Sequence, residues 1–423
     1  RWGYLILLAV LFLLFQSVFW LAQHPMDWIE LGFAKLSESL SSSLPDSRWT
    51  DLLINGVIAG LSGILMFVPQ IMILFGLITL LEDSGYMARI SFLSDRLMRS
   101  VGLNGKSVMP MISGFACAVP AIMSARNIEN RKERLLTILI TPLMSCSARL
   151  PVYTILIGLV IPQTNLLGFL SVQGLVMMGL YLLGLVMALI VSYVAKWFIN
   201  IREKSFFILE LPTYRSPRWN NVLPTMINKA RIFVMDAGKI IMIISLVLWG
   251  LSSFGPGNTM QNLTQQYDQM KTQPGAAIAQ LDKEYHTAKL ENSYAGIIGK
   301  SLEPAIAPLG YDWKIGIALV TSFAAREVFV GTMATLYSVG ETDEGSLLLK
   351  EKMKAAVKPD GTPVFTLATG LSLMIFYVFA MQCMSTLAVV KRETRSWKWP
   401  VIQLIYMTAL AYLMSWVVYQ IFK

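Results

Sequence analysis

Residues 107–134 read SVMPMISGFACAVPAIMSARNIENRKER, and this stretch decides the fold. Its first part, 107–124, is apolar and uncharged but broken by Gly114 and Pro120. The run that follows, 125–134, is the most basic in the chain, and the segment before it, 83–106, carries Arg89, Arg96, Arg99 and Lys106. Lys and Arg concentrate on the cytoplasmic side of membrane proteins. Both flanks therefore belong inside, and 107–124 must enter and leave by the same face as a re-entrant hairpin. Gly and Pro at membrane depth release backbone carbonyls, which is tolerable only where they face a cavity or other protein. Cys117 lies at that break.

The rest of the chain fits a membrane. Of 423 residues 55% are hydrophobic and 14% charged, against about a quarter charged in a soluble domain, and mean hydropathy is positive. Apolar runs long enough to span as helices lie near 4–22, 52–82, 135–161, 168–195, 236–254, 364–390 and 400–421. With the N-terminus cytoplasmic, 23–51 and 162–167 fall outside. The basic loop 196–235 falls inside and the Gln-, Asn- and Thr-rich loop 255–292 outside. A second hairpin at 313–340, entering from outside, puts Lys391, Arg392, Arg395 and Lys398 inside; a spanning 313–340 would misplace them. The C-terminus is then outside. The net charge of +9 is thus an orientation signal, and no nucleic-acid partner is expected.

The two halves repeat. A shift of 208 residues aligns Asp83 with Glu291, Tyr86 with Tyr294, Ile90 with Ile298, Gly102 with Gly310, Lys106 with Lys314 and Phe115-Ala116 with Phe323-Ala324. A shift of 237 aligns Met144-Ser-Cys146 with Met381-Gln-Cys383. One hairpin enters from inside and the other from outside, so the repeats are inverted. Inverted repeats with discontinuous helices are a transporter architecture, with the substrate site near the midplane. The expected fold is an all-α polytopic membrane protein with an inverted repeat, two re-entrant hairpins and broken helices. It forms a single transmembrane domain over 1–423: a first span and outer loop (1–51), a first gate repeat (52–198), a cytoplasmic linker (199–235) and a second gate repeat (236–423) bearing the outer loop 255–292.

Three cysteines, an odd number in apolar surroundings, argue against a disulfide framework. All three fall at special positions of the repeat: Cys117 in the first hairpin, Cys146 between Pro142 and Pro151, and Cys383 at the matched place. Soft sulfur donors suit transition metals rather than Mg2+ or Ca2+. Met144 and Met381 add thioethers, and Ser145 and Gln382 add oxygens nearby. The remaining methionines are read as packing residues. Glu327, beside Arg326, occupies the second hairpin, where an ionisable residue is costly and points either to function or to a structural ion pair. Cys117 has Ala325 as its counterpart, so the metal set is asymmetric and Glu327 is the carboxylate placed to complete it. The candidate metal ligands are therefore Cys117, Cys146, Cys383, Met144, Met381 and Glu327. Ser145, Gln382, Arg326, Glu82 and Asp83 are candidate pathway or supporting residues. His24 and His286 lie in predicted loops, which disfavours a His-based zinc site. The segment Gly102-Leu-Asn-Gly105-Lys106-Ser107 resembles a phosphate-binding loop, but Ser100 stands where that pattern needs Gly, and no βαβ unit surrounds it. It reads as a turn before the hairpin.

The stretches GFACAVPAIMSARNIENRKERLLTILITPLMSCSARLPVY (114–153), SFAAREVFVGTMATLYSVG (322–340), AMQCMSTLAVVKRETRSWKWP (380–400) and LEDSGYMARISFLSDRLMRSVGLNGKS (81–107) resemble the membrane part of the ferrous iron transporter B (FeoB) family. The gate layout also resembles concentrative nucleoside transporters. The resemblance implies uptake of Fe2+, as transported substrate, across the bacterial inner membrane. It implies no enzymatic chemistry in this chain. It further implies an N-terminal GTPase domain, holding GTP and Mg2+, as a partner; the start at Arg1-Trp2 without an initiator Met predicts such a missing part. Family cysteines discussed as iron ligands map onto Cys117, Cys146 and Cys383. Where the family more often has Gly-Cys-Asn, this hairpin has Ala116-Cys117-Ala118. The lipid bilayer, small Feo-type accessory proteins and a homo-oligomeric arrangement complete the compatible partners. Two other readings stand beside this one: a nucleoside or organic-solute carrier of the same architecture, and a non-transporting membrane scaffold.

Overall fold

The computed structural model describes residues 2–43, 45, 48–65, 67–162, 165–166, 170–199, 219–256, 263, 266–267, 288–289, 292–323, 326, 328–337, 353–354, 356–357, 363–381 and 383–423. Nearly all of them are helical. The first half contains α1 (Trp2–Ser43), α2 (Ala59–Leu65), α3 (Phe67–Asp83), α4 (Tyr86–Ser100), α5 (Val108–Ala116), α6 (Ala118–Ser124), α7 (Arg131–Ile140), α8 (Leu150–Val160) and α9 (Val172–Ile199). The second contains α10 (Trp219–Ile232), α11 (Lys239–Ser253), α12 (Tyr294–Ile306), α13 (Trp313–Ser322), α14 (Val328–Leu336), α15 (Leu367–Phe379), α16 (Met384–Thr394) and α17 (Lys398–Phe422). Two short antiparallel strands, β1 (Asn165–Leu166) and β2 (Leu170–Ser171), precede α9.

The runs Val172–Trp197, Leu367–Thr394 and Lys398–Phe422 are each long and apolar enough to cross a membrane. Their burial differs: 17% and 22% for the first and last, 65% for the middle one. On α9, Met178, Leu182, Val186, Ile190, Val194 and Trp197 are all exposed at near-helical spacing. A stripe of that size would be untenable in water and suits lipid. On its other face Ala188 and Ser192 are fully buried, and the Ser192 hydroxyl donates to the Val101 carbonyl at 3.0 Å.

Three sequence boundaries are corrected. The helix beginning in the first apolar run continues past Pro25 to Ser43, so 23–43 is helix and His24 lies within it. Strong helix formers at Glu30, Leu31, Ala34, Lys35, Leu36 and Glu38 carry it on. The run 52–82 is not one helix: a π-helical segment, Leu52–Ile58, leads into α2 and then α3. Residues 219–235, read as linker, are helical, because Val222, Ala230 and Phe233 form a buried face.

The chain folds as two compact units. The first comprises Arg1–Ser147, Leu185–Leu246 and Ser385–Ile402; the second comprises Ala148–Gly184, Val247–Met384 and Gln403–Lys423. In the first unit α3 and α4 are set at 84° about Gly85, which takes the left-handed conformation. Its core joins Ile64, Ile71, Phe75, Val119, Ile122, Met123, Phe233, Val389 and Val390. The second unit packs α12 on α13, α13 on α14, and α8 on α15.

The same local devices recur in both units at the offset of 208. Gly102 and Gly310 both adopt φ +84°, a conformation that costs an L side chain about 1–2 kcal/mol. Two residues on, Asn104 and Asp312 each cap the next helical turn: Asn104 accepts from the Lys106 N–H at 3.2 Å, and Asp312 from the Ile315 N–H at 2.9 Å. Both hairpins are therefore preceded by the same stop-and-restart signal.

Candidate functional site: two hairpins and two helix breaks

The first hairpin consists of α5 and α6 with Cys117 alone between them, in an extended conformation (φ −157°, ψ 134°). The Cys117 N–H still donates to the Ser113 carbonyl at 3.1 Å, closing α5. Pro120, three residues on, has no N–H to offer the Ala116 carbonyl. Cys117 is half-buried and packs against the core of the first unit.

The first Met-x-Cys segment is a second break. After α7 the chain makes a tight turn at Thr141–Leu143, and Met144 becomes extended (φ −61°, ψ 133°). Helical structure resumes only at Ser147–Arg149. Met144, Ser145 and Cys146 are all buried. This break docks on the hairpin at Gly114, where an added Cβ would lie 3.2 Å from Met144 Cβ and 3.3 Å from Thr141 Cγ2. The absent side chain at Gly114 is what lets the two breaks of the first unit approach.

The second unit repeats the arrangement by other means. The arms of its hairpin, α13 and α14, are tied by the Thr321 and Thr332 hydroxyls at 2.9 Å. The buried Arg326 guanidinium donates from Nη2 to the Ala380 carbonyl at 3.4 Å. Ala380 ends α15 with φ −63° and ψ 141°, close to the geometry of Met144. Met381 is buried and Cys383 half-buried just before α16. Glu327 and Gln382 lie outside the described residues.

None of the three cysteines is in a disulfide. Among the described residues no three His, Cys, Asp or Glu side chains are arranged to hold a metal. In the first unit the contact between hairpin and break runs through Gly114, Thr141 and Met144, and in the second through Arg326 and Ala380. Glu82 is exposed at the end of α3, whereas the Oδ2 atom of Asp83 is buried without a hydrogen-bond partner among the described residues.

Two acidic residues escaped the sequence reading. Glu133 sits in the basic stretch 125–134 yet is buried, accepting from Asn104 Nδ2 at 3.3 Å. Burial pushes its carboxyl above the usual range, and the Asn104 hydrogen bond and nearby Arg99 offset this in part. Glu393 sits in the basic stretch 391–395 and pairs with Arg126. The signal for both is an acid with basic neighbours on either side, Lys132 and Arg134 for Glu133 and Arg392 and Arg395 for Glu393.

These features define a gate-type helical membrane protein, and the relationships of the sequence agree. Residues 64–160 and 234–397 match the gate family described as nucleoside recognition, and 177–229 match the ferrous iron transport protein B C terminus. The chain is 44% identical over 421 residues to the Fe(2+) transporter FeoB of Leptospira biflexa, covering 100% of this chain and 58% of that protein. It is 38% identical over 433 residues to the Fe(2+) transporter FeoB of Staphylococcus aureus, covering 99% of this chain and 57% of the relative. It is also 38% identical over 428 residues to a Fe(2+) transport protein A/FeoB fusion protein of Porphyromonas gingivalis, covering 99% and 50%. The chain belongs to the ferrous iron transporter B family. It spans 58% or less of the length of these curated relatives. No solved structure matches it.

Proposed function

We propose that this chain carries Fe2+ across the bacterial inner membrane by alternating access. Two re-entrant hairpins of an inverted repeat pass the ion between thiols of Cys117, Cys146 and Cys383. Met144, Met381, Glu327 and the carbonyls released at the breaks assist. The observation that carries the reading is the docking of each hairpin on a Met-x-Cys break, through Gly114 and Met144 in one unit and Arg326 and Ala380 in the other. Such a mixed sulfur and oxygen set suits an ion that must be released as well as bound. The thiolate is the ligand, so bound metal draws off the cysteine proton.

The Arg126–Glu393 ion pair supports the re-entrant reading of 313–340. The spans 135–161, 168–195, 236–254 and 364–390 separate the two residues. An even number of crossings returns the chain to the same face, where the pair can form; a fifth at 313–340 would separate them. GTP hydrolysis, with its Mg2+, is assigned to the remainder of a longer protein. The fusion relative supports a small accessory protein as partner.

The nucleoside-recognition family match favours a second reading, a carrier of nucleosides or other organic solutes. Proteoliposomes assayed for Fe2+ and uridine flux separate the two. Fe2+ uptake without uridine flux is expected, falling at least about tenfold when all three cysteines are replaced by Ser. Unchanged Fe2+ uptake in that triple variant would refute the thiol pathway. Uridine flux without Fe2+ uptake would establish the second reading, and neither flux would leave a scaffold.

A further inference from the structure

The first unit holds one contact that the thiol set does not explain. Arg126, in the turn after α6, grips the Glu393 carboxylate side-on: Nε donates to Oε2 at 2.7 Å and Nη2 to Oε1 at 2.5 Å. The Glu393 side chain is only 7% exposed, whereas Arg126 is 51% exposed. A carboxylate withdrawn that far from water is costly unless a matched cation holds it. Its neighbours Lys391 and Arg392 are exposed, and the Lys391 ammonium lies over the Trp397 ring, 4.1 Å from its centroid. The cation that reaches Glu393 side-on thus comes from 267 residues away in sequence. On the same two helices, Val119, Ile122 and Met123 of α6 share one apolar core with Val389 and Val390 of α16.

The placement of these two helices gives the contact a role. α6 begins at the residue after Cys117, and α16 at the residue after Cys383. We propose that Arg126 and Glu393 are a positioning pair for transport, locking the outgoing arm of the Cys117 hairpin to the helix that issues from Cys383. The two arms then move as one body, and displacement at one break is transmitted to the other. The bidentate fork is a property of guanidinium, so Lys at 126 would keep the charge and lose the fixed geometry. This assignment rests on the transport reading, but the coupling of the two helices does not.

The test uses the full-length protein, read by hydrogen–deuterium exchange over 118–127 and 385–394 and by Fe2+ uptake in proteoliposomes. Glu393→Gln should speed exchange in both segments together, by roughly tenfold, since a charged hydrogen-bonded pair is lost. Arg126→Gln should do the same, and the double variant should lose no more than either single one, because both remove one interaction. Uptake should show a fall in maximal rate of about fivefold with KM within twofold, the mark of a step after binding. Arg126→Lys should fall between wild type and Arg126→Gln in both readouts. Exchange that rises in one segment only, or additive losses in the double variant, would overturn the pairing. A KM effect at unchanged maximal rate would overturn its role in the transport step. Wild-type protein that carries no Fe2+ would refute the transport reading, while the exchange data would still decide the coupling.

Discussion

Gly102 and Gly310 lie 208 residues apart and share φ +84°, yet their surroundings differ enough to predict opposite responses to Asn. Forcing Ala into this conformation costs about 1–2 kcal/mol at either site. At Gly102 the new Cβ meets the stem of Lys196, with Cδ at 2.9 Å, Cγ at 3.0 Å and Cβ at 3.1 Å. The outer carbons swing away readily and the Cβ contact needs only a small shift, so the steric addition is minor. At Gly310 the Cβ falls on the Tyr419 ring, with Cζ at 2.7 Å and Thr369 Oγ1 at 3.0 Å. A packed ring cannot yield so easily, and overpacking adds about 1–3 kcal/mol. Gly310→Ala should therefore cost about 2–5 kcal/mol and Gly102→Ala about 1–2 kcal/mol. At about 1–2 °C per kcal/mol for a chain of this size, both are measurable as apparent Tm by intrinsic fluorescence in detergent. Asn tolerates the left-handed region better than Ala, so at position 102 it should be the milder substitution. At 310 the extra volume should make Asn worse than Ala. The same order of Ala and Asn at both sites would refute the reasoning.

Two further outcomes follow from buried polar groups. Burial raises the Glu133 carboxyl pKa above its unfolded value, so the native state binds the proton more tightly and stability falls as pH rises from the unfolded pKa through the native one. Glu133→Gln, which keeps an acceptor for Asn104, should raise apparent Tm at pH 7.5 and match wild type near pH 4; an equal shift at both pH values would contradict this. Thr332→Val removes the hydroxyl tie across the second hairpin at nearly constant volume. It should cost about 1 kcal/mol, read as faster hydrogen exchange over 328–337, and unchanged exchange there would show that the tie is dispensable.

Much of this was legible because it is dictated locally. Pro142, Pro151 and Pro120 announce broken helices whatever surrounds them, and the Gly102–Asn104 and Gly310–Asp312 pairs write the same stop-and-cap signal twice. The break at Cys117, between Gly114 and Pro120, was visible for the same reason. What was hidden depends on neighbours distant in sequence. Nothing in the basic run 391–395 says that Glu393 is buried against Arg126. Nothing in the apolar run 313–340 says that Thr321 and Thr332 meet. The helix over 23–43 was missed because its polar composition matched the outer loop that topology required.

The thiols also differ in how the chain carries them. Among the points where the chain passes between the two units are Ser147–Ala148, where it leaves the first, and Met384–Ser385, where it re-enters it. These points are 237 residues apart, the same offset that aligns Met144-Ser-Cys146 with Met381-Gln-Cys383. The helix after each Met-x-Cys segment begins on the far side of such a point: α8 belongs to the second unit, and α16, from Ser385 on, to the first. Cys146 and Cys383 each lie one residue before a crossing, in non-helical backbone that no i to i+4 ladder fixes. Cys117 sits instead between two helices of one unit, clamped by the core around Val119 and Ile122. Rotation about a few bonds at a crossing can redirect Cys146 or Cys383 without unpacking a helix, whereas Cys117 moves only with its whole hairpin.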